Sequence, residues 1–193
     1  MKYNCRMSTI VTQAAKLTAH PSNPSDAVRS VVAQLRAQEP GIVVFEYSLA
    51  ADMSRISVSL SGTGGRADDL WKHTCFEAFV APADAAGYYE FNFSPSLDWA
   101  IYRFSSYRQA MPLAEIDQAP EISVRRSDDG LQLKATVRLG HLAGVRDARS
   151  LRIALTAVVE EKNGRLSYWG LWHAPGKPDF HHSHGFALQV TRS

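Results

Sequence analysis

Hydrophobic and polar residues alternate with a period of two along much of the chain. The alternation is clear at residues 55–61 (RISVSLS) and 88–94 (YYEFNFS), and residues 42–50 (IVVFEYSLA) are rich in β-branched and aromatic side chains. Because successive side chains of a strand point to opposite faces, this pattern predicts half-buried β-strands. Residues 25–38 could begin as a capped helix, but their three valines and the following Glu39-Pro40-Gly41 favour a strand that ends in a hairpin.

Turn dipeptides divide the second half of the chain into hairpins. Residues 121–127 and 131–139 flank Asp128-Asp129-Gly130, and residues 151–161 and 165–172 flank Lys162-Asn163-Gly164. Both are strong hairpin signals, because Asp-Gly and Asn-Gly suit the turns that join antiparallel strands. A last strand is predicted at 185–191, and single helical turns are predicted within 113–120 and 139–147.

These elements predict one all-β domain that spans residues 1–193. About 8–11 short strands at a spacing of roughly ten residues are typical of an antiparallel, jelly-roll-like β-sandwich with one or two helical turns. No βαβ rhythm appears, which argues against a parallel sheet with a dinucleotide site.

Composition narrows the function classes. The chain has 193 residues, and 21 basic and 19 acidic residues give a net charge of +2 without a basic block, which argues against nucleic acid as a partner. No apolar run approaches the ~18 residues of a membrane span, and the N-terminal segment lacks the apolar stretch of a signal peptide. The expected location is the cytoplasm, where Cys5 and Cys75 would be reduced thiols.

The segment DLWKHTCFEAFV, residues 69–80, contains an unusual set of side chains. Read as a strand, it places Trp71, His73, Cys75 and Glu77 on one face. His73 and Cys75 have the residue types of a base and a nucleophile, but two residues apart on a strand they cannot easily orient each other.

Two following strands are expected to extend this face. If Phe76, Phe91 and Phe104 face the core, the opposite face collects polar and aromatic side chains from three strands: Glu77, Glu90, Asn92, Trp99 and Arg103. Such a surface suits a sugar, whose C–H face packs on aromatic rings and whose hydroxyls need polar partners. The alternatives are ordinary cross-strand pairs, or a glycosidase-type carboxylate pair made by Glu77 and Glu90.

Two further clusters lie near the C-terminus. Trp169 and Trp172 stand where a strand enters a loop, a frequent place for binding aromatics. His181, His182 and His184 follow Asp179 and could bind zinc or copper, but their spacing matches no established metal motif. We therefore expect these histidines to hydrogen-bond the loop backbone, and we predict no metal cofactor.

Three long segments carry a family resemblance. DLWKHTCFEAFV, YYEFNFSPSLDWAIYRFSSYR and LSYWGLWHAPGKPDFHHSHGFAL resemble the bacterial DOMON-like proteins that are similar to family 9 carbohydrate-binding modules. The resemblance covers nearly the whole chain and implies a jelly-roll-like sandwich with a ligand site on one face. It implies a non-catalytic domain that binds a saccharide or a sugar-containing metabolite.

The resemblance also implies site residues. Trp71 and Glu77 match the stacking tryptophan and the carboxylate of the sugar-binding modules, and Trp172, with Trp169 in reserve, matches the second tryptophan of an aromatic clamp. Arg103 matches an arginine on a neighbouring strand. Related domains bind a b-type haem instead, for which the available axial ligands are Met111, His73 and His173. The sequence does not identify the ligand or the oligomeric state.

Overall fold

Twelve strands form two antiparallel sheets in the computed structural model, which describes residues 11–39, 41–111 and 118–191. The strands are β1 Val11–Ala19, β2 Val28–Glu39, β3 Ile42–Ala51, β4 Cys75–Pro82, β5 Tyr88–Phe93, β6 Trp99–Ser106, β7 Gln109–Met111, β8 Glu121–Ser127, β9 Gly130–Arg138, β10 Ser150–Glu160, β11 Leu166–Gly170 and β12 Leu188–Thr191. Within these ranges, three 3₁₀ turns lie at Leu70–Lys72, Leu139–His141 and Ser183–Gly185.

Strand β1 belongs to both sheets. Its residues 11–17 pair with β2 in the first sheet, whose order is β8-β9-β3-β2-β1. Its last two residues, Thr18 and Ala19, pair with β11 in the second sheet, whose order is β7-β6-β5-β4-β10-β11, with β12 beside β10.

The main core lies between the two sheets. Phe45 and Tyr47 of β3 are fully buried, and their rings lie 6.3 Å from Phe91 of β5 and 5.1 Å from Phe76 of β4. Alternate side chains of both sheets therefore interdigitate, as in a β-sandwich. The predicted all-β antiparallel sandwich is confirmed.

A second apolar cluster lies on the outer face of the second sheet. Phe79 of β4 and Tyr88 of β5 are its large buried members, and Phe104, Phe180 and Phe186 pack against them. The last two come from the segment between β11 and β12, which covers this part of the sheet. The outer face is therefore not a plain solvent face.

Most sequence predictions of elements are confirmed. Most of the segment 25–38 lies in strand β2, both Gly-containing turns join hairpins, and a helical turn begins at Leu139. Two predictions are wrong. Residues 55–61 form no strand and contribute one isolated bridge between Ile56 and Glu161, and the strand predicted at 69–80 begins only at Cys75.

Two predictions lie partly or wholly outside the described residues. The helical turn within 113–120 falls mostly there, and Cys5 lies there too, whereas Cys75 is a buried free thiol. Within the described ranges, no helix has the length and hydrophobicity needed to cross a bilayer.

Candidate ligand-binding site

A cavity of about 1170 Å³ opens on the outer face of the second sheet. Side chains of β4, β5, β6, β10 and β11 form its floor, because outward-pointing residues of these adjacent strands lie side by side. Its rim includes residues 68–69 and 71, before β4, and residues 176–178, after β11. The volume is large enough for a ligand of several rings.

Aromatic side chains line the cavity. Phe79 and Tyr102 lie on the strands that flank Glu90 and are paired directly with it, one on each side. Tyr102 also donates a hydrogen bond to Asp68 Oδ1 at the rim, at 2.9 Å. The aromatic residues of the lining are Trp71, Phe79, Tyr102, Phe104, Tyr168 and Phe180.

Glu77 is a buried carboxyl on the floor. It is 2% exposed, and its Oε2 accepts a hydrogen bond from Thr156 Oγ1 at 3.3 Å, whereas its Oε1 is buried and has no hydrogen-bond partner. Burial, and next the negative charge of Glu90, raise the pKa of Glu77 well above its usual value. The folded chain therefore resists ionisation of this group.

Glu90 is a second carboxyl, diagonal to Glu77 across the β4–β5 pair. Asn92 is paired with Glu77, and Glu90 precedes Asn92 by two positions, which places the two glutamate Cβ atoms roughly 7 Å apart. Asn92 Nδ2 donates to Glu90 Oε1 at 2.7 Å. Burial raises the pKa of Glu90, while that hydrogen bond and the charge of Arg108 oppose the rise.

His181 faces Glu90 from the loop that covers the floor. Its Nε2 lies 3.6 Å from Glu90 Oε2, and its Nδ1 lies 2.7 Å from Tyr88 Oη. Because Tyr88 Oη already accepts from the backbone N–H of Arg108, its own proton is free to be donated to Nδ1, which leaves the imidazole proton on Nε2. Burial, and next the charge of Arg108, lower the pKa of His181 to about 4.

Two of the three basic side chains that line the cavity are engaged with rim carboxylates, whereas the exposed Lys177 has no such partner among the described residues. Arg108 lies 2.8 Å from Asp179, and Arg66 lies 3.5 Å from Asp68. Tyr107 also donates to Asp179, at 2.7 Å, and this contact helps to fix the loop that carries His181. The charges of these two arginines are therefore largely balanced before a ligand arrives.

The structure brings two of the six predicted ligand-binding residues into the cavity. Trp71 lies on a 3₁₀ turn rather than on a strand, is 46% exposed and lines the opening, and Glu77 lies on the floor. Asn92 is on the same face but fully buried, where it holds Glu90.

The two C-terminal tryptophans do not line the cavity. Trp169 is 7% exposed in the main core, and its Nε1 donates to Ser167 Oγ. Trp172 instead packs against His182 and His184, at ring distances of 4.6 and 5.0 Å. The structure thus shows no clamp made by Trp71 and either of these residues.

The predicted face of Arg103 is wrong. Strand β6 pairs Tyr102 with Glu90 and Arg103 with Tyr89, so Arg103 lies on the opposite side of the sheet, 5.8 Å from the Tyr89 ring. Trp99 shares that side and packs against the main core. Phe104, expected in the main core, belongs to the outer cluster. Each side chain of β6 therefore faces the side of the sheet opposite to the predicted one.

The candidate metal and haem ligands do not converge on one site, although the rings of His182 and His184 lie 4.9 Å apart. His182 and His184 contact Trp172, and the described residues contain no group of three His, Cys, Asp or Glu side chains that could hold a metal ion. His73 is an exposed partner of Glu160, and His173 bonds the Thr18 carbonyl.

None of the expected haem ligands lines the cavity. This holds for His73 and His173 as well as for Met111, which lies at the end of edge strand β7. The imidazole that does line it, His181, is already engaged through Nδ1 and faces a carboxyl through Nε2. The residues that the cavity presents therefore do not fit an axial haem ligand pair.

Sequence reasoning missed three prominent members of the lining: Tyr102, Tyr168 and Arg108. Tyr168 alternates with Ser167 and Trp169, which are buried, so the tyrosine faces the cavity. The period-two pattern contains this signal, but it does not distinguish Tyr168 from the neighbouring Trp169 as the residue that faces the cavity. Arg108 follows a bend after β6 and carries no periodic signal.

Comparison with known proteins supports the fold. No protein-family model matches the chain, and no curated protein matches it either. A solved structure, "a putative carbohydrate-binding protein from Bacteroides uniformis", superposes with a TM-score of 0.67 at 13% identity, over 94% of this chain and 86% of that one. This likeness shows a shared fold, and the resemblance to DOMON-like proteins stays a prediction.

Proposed function

We propose that this chain is a carbohydrate-binding domain that holds a saccharide in the cavity of the second sheet. The observation that carries the proposal is the combination of aromatic walls with two buried carboxyls on one floor. A pyranose ring needs both, because its C–H face packs on aromatic rings while its hydroxyls require hydrogen-bond acceptors and donors. The description of the structural neighbour as carbohydrate-binding is consistent with this role.

Individual side chains have distinct parts in the proposed complex. Trp71 projects from the rim with nearly half of its surface exposed, which suits stacking on a sugar ring. Glu77 Oε1 offers a free acceptor to a hydroxyl that reaches the floor. Tyr102 and Tyr168 provide further ring surface beside it. The chain acts in this scheme by binding and not by transforming the sugar.

Titration calorimetry across a panel of mono- and oligosaccharides tests the proposal. We expect heat of binding for at least one class, and we expect Trp71→Ala to weaken that binding at least tenfold, equivalent to about 1.4 kcal/mol of lost stacking. Leu60→Ala is the control, because Leu60 is also an exposed apolar residue but lies outside the cavity lining. The same incubations are analysed for cleavage products, since paired carboxyls are also the residue type of a glycosidase.

The Trp172→Ala variant distinguishes binding in the cavity from binding by the aromatic clamp that the family resemblance implies. Trp172 lies outside the cavity, so its removal should leave affinity within about twofold of wild type. No binding by any saccharide would overturn the proposed function. A loss with Trp172→Ala but not with Trp71→Ala would move the site elsewhere.

A further inference from the structure

We propose that the preferred ligand carries a protonated amine that binds between Glu77 and Glu90, which makes free amino sugars the favoured saccharide class. This inference deepens the proposed function and rests on it. It concerns the charge of the ligand, which a general affinity for sugars does not determine.

No lysine or arginine of the described residues neutralises the carboxyl pair of the floor. Within the described part of the chain, neither Glu77 nor Glu90 lies within ion-pair distance of a lysine or arginine side chain. Glu77 has one hydroxyl donor, from Thr156, and Glu90 has one amide donor, from Asn92. Buried carboxylates are costly unless they are paired, so the free protein holds two acids whose ionisation would be stabilised by an incoming positive charge.

The two arginines of the cavity lining are engaged elsewhere, and Lys177, the third basic residue of the lining, lies on the rim outside ion-pair distance of both glutamates. Arg108 is paired with Asp179, and Arg66 is paired with Asp68. The imidazole of His181 is buried and faces Glu90 at 3.6 Å, longer than a hydrogen bond. The strongest unsatisfied acceptor on the floor is Glu77 Oε1, which is buried and without a partner.

Aromatic surface surrounds the two carboxyls. Phe79 and Tyr102 flank Glu90 on the adjacent strands, and Tyr168 lines the same floor. Aromatic faces attract an ammonium group as well as an apolar sugar face. An ammonium has three donors, so it can satisfy one oxygen of each carboxyl and still reach a third acceptor.

A neutral hydroxyl could also donate to Glu77 Oε1, but the consequences differ. The hydroxyl would complete the hydrogen bond to Glu77. It would not neutralise a carboxylate, so the floor would either keep a buried negative charge without a partner or keep its carboxyl protonated. An amine favours ionisation of the floor carboxyls, which releases protons to the buffer when it binds. Affinity and proton release therefore distinguish the two kinds of ligand.

The test compares three ligands with the same ring: glucosamine, N-acetylglucosamine and glucose, with short oligomers of each. Calorimetry at pH 7 in two buffers of different ionisation enthalpy gives both affinity and proton release. We expect the free amine to bind at least tenfold tighter than the other two, with protons released. We expect Glu77→Gln to lower amine affinity at least tenfold and to change neutral-sugar affinity less than threefold.

Glu121→Gln is the matched control, because Glu121 lies on β8 of the first sheet with an exposed side chain. Equal or tighter binding of the neutral sugars would overturn the amine proposal and leave the proposed function standing. The amine proposal would also fall if Glu77→Gln weakened all three ligands equally. If Glu77→Gln does not fold, absence of proton release by the wild-type protein contradicts the proposal on its own.

Cyclohexylamine separates the amine proposal from the proposed function. It carries the ammonium group on a ring without hydroxyls. Binding as tight as that of glucosamine would retain the amine site and refute the saccharide. Absence of binding by every one of these ligands would refute both.

Discussion

The imidazole of His181 gives a direct test of the electrostatics of the cavity floor. Its pKa is 6.5 in an unperturbed chain and is lowered to about 4 in the fold, chiefly by burial and next by the charge of Arg108, while Asp179 opposes the shift. Between these two pH values the unfolded chain binds a proton that the folded chain does not. The free energy of unfolding should therefore fall as the pH drops from about 6.5 to about 4.

The size of the effect follows from the shift. At about 1.4 kcal/mol per pH unit, a pKa lowered from 6.5 to about 4 corresponds to about 3 kcal/mol. Urea unfolding of the wild type and of His181→Gln between pH 4 and pH 7 measures it. Other titrating groups are common to both chains, so the stability difference between wild type and variant should change by about 3 kcal/mol across this range, in the direction that favours the variant at low pH.

Titration of the His181 imidazole by NMR provides an independent reading. We expect a midpoint near pH 4, with the ring neutral at pH 6. A midpoint at 6.5, together with a pH-independent difference between wild type and variant, would refute the reasoning. A midpoint above 6.5, with a difference that favours the wild type at low pH, would refute it too and would mean that His181 forms a true ion pair with Glu90 across the 3.6 Å contact.

Three further substitutions test packing within the two sheets and the placement of side chains relative to the cavity. Tyr47→Phe removes a buried 2.6 Å hydrogen bond to the backbone carbonyl of Glu77 and should lower the free energy of unfolding by about 1–2 kcal/mol in urea; an unchanged midpoint would contradict this. Gly130→Ala would place a Cβ against the Leu49 carbonyl and should lower stability by more than about 2 kcal/mol in thermal unfolding, whereas a neutral effect would show that β3 and β9 can separate there. Arg103→Ala should leave saccharide affinity within twofold of wild type in calorimetry, because the side chain lies opposite the cavity, and a tenfold loss would contradict that placement.

Local chemistry was sufficient to predict the hairpins. Gly164 has a φ of +84°, a conformation that glycine adopts without strain, and the Asn163-Gly164 pair therefore indicates a tight turn without reference to the rest of the fold. Residues 55–61 show the limit of such reasoning. They alternate well, but the preceding strand β3 already pairs with β2 on one edge and with β9 on the other. Residues 55–61 therefore cannot pair with β3 as a further strand.

The residues of β6 alone do not predict which of its two faces is turned toward the main core. Period-two alternation separates Tyr102 and Phe104 from Arg103, but it does not say which set faces the main core. Phe104 would face the core if the sandwich had one apolar interior, whereas it packs in a second cluster beneath Phe180 and Phe186. That covering segment lies far along the chain, so the sequence predicted the cavity only in part, through Trp71, Glu77 and Glu90.

The order of the strands in the second sheet determines when the cavity floor can be completed during synthesis. Strand β4 pairs early with β5, its neighbour in the chain, and this hairpin carries both floor glutamates. Its other edge pairs with β10, and the Thr156 hydroxyl that contacts Glu77 lies 79 residues further along. On the ribosome, the nascent hairpin would keep one open edge and two hydrated acids until β10 emerges. The carboxyls thus become buried only as the last third of the chain folds onto them.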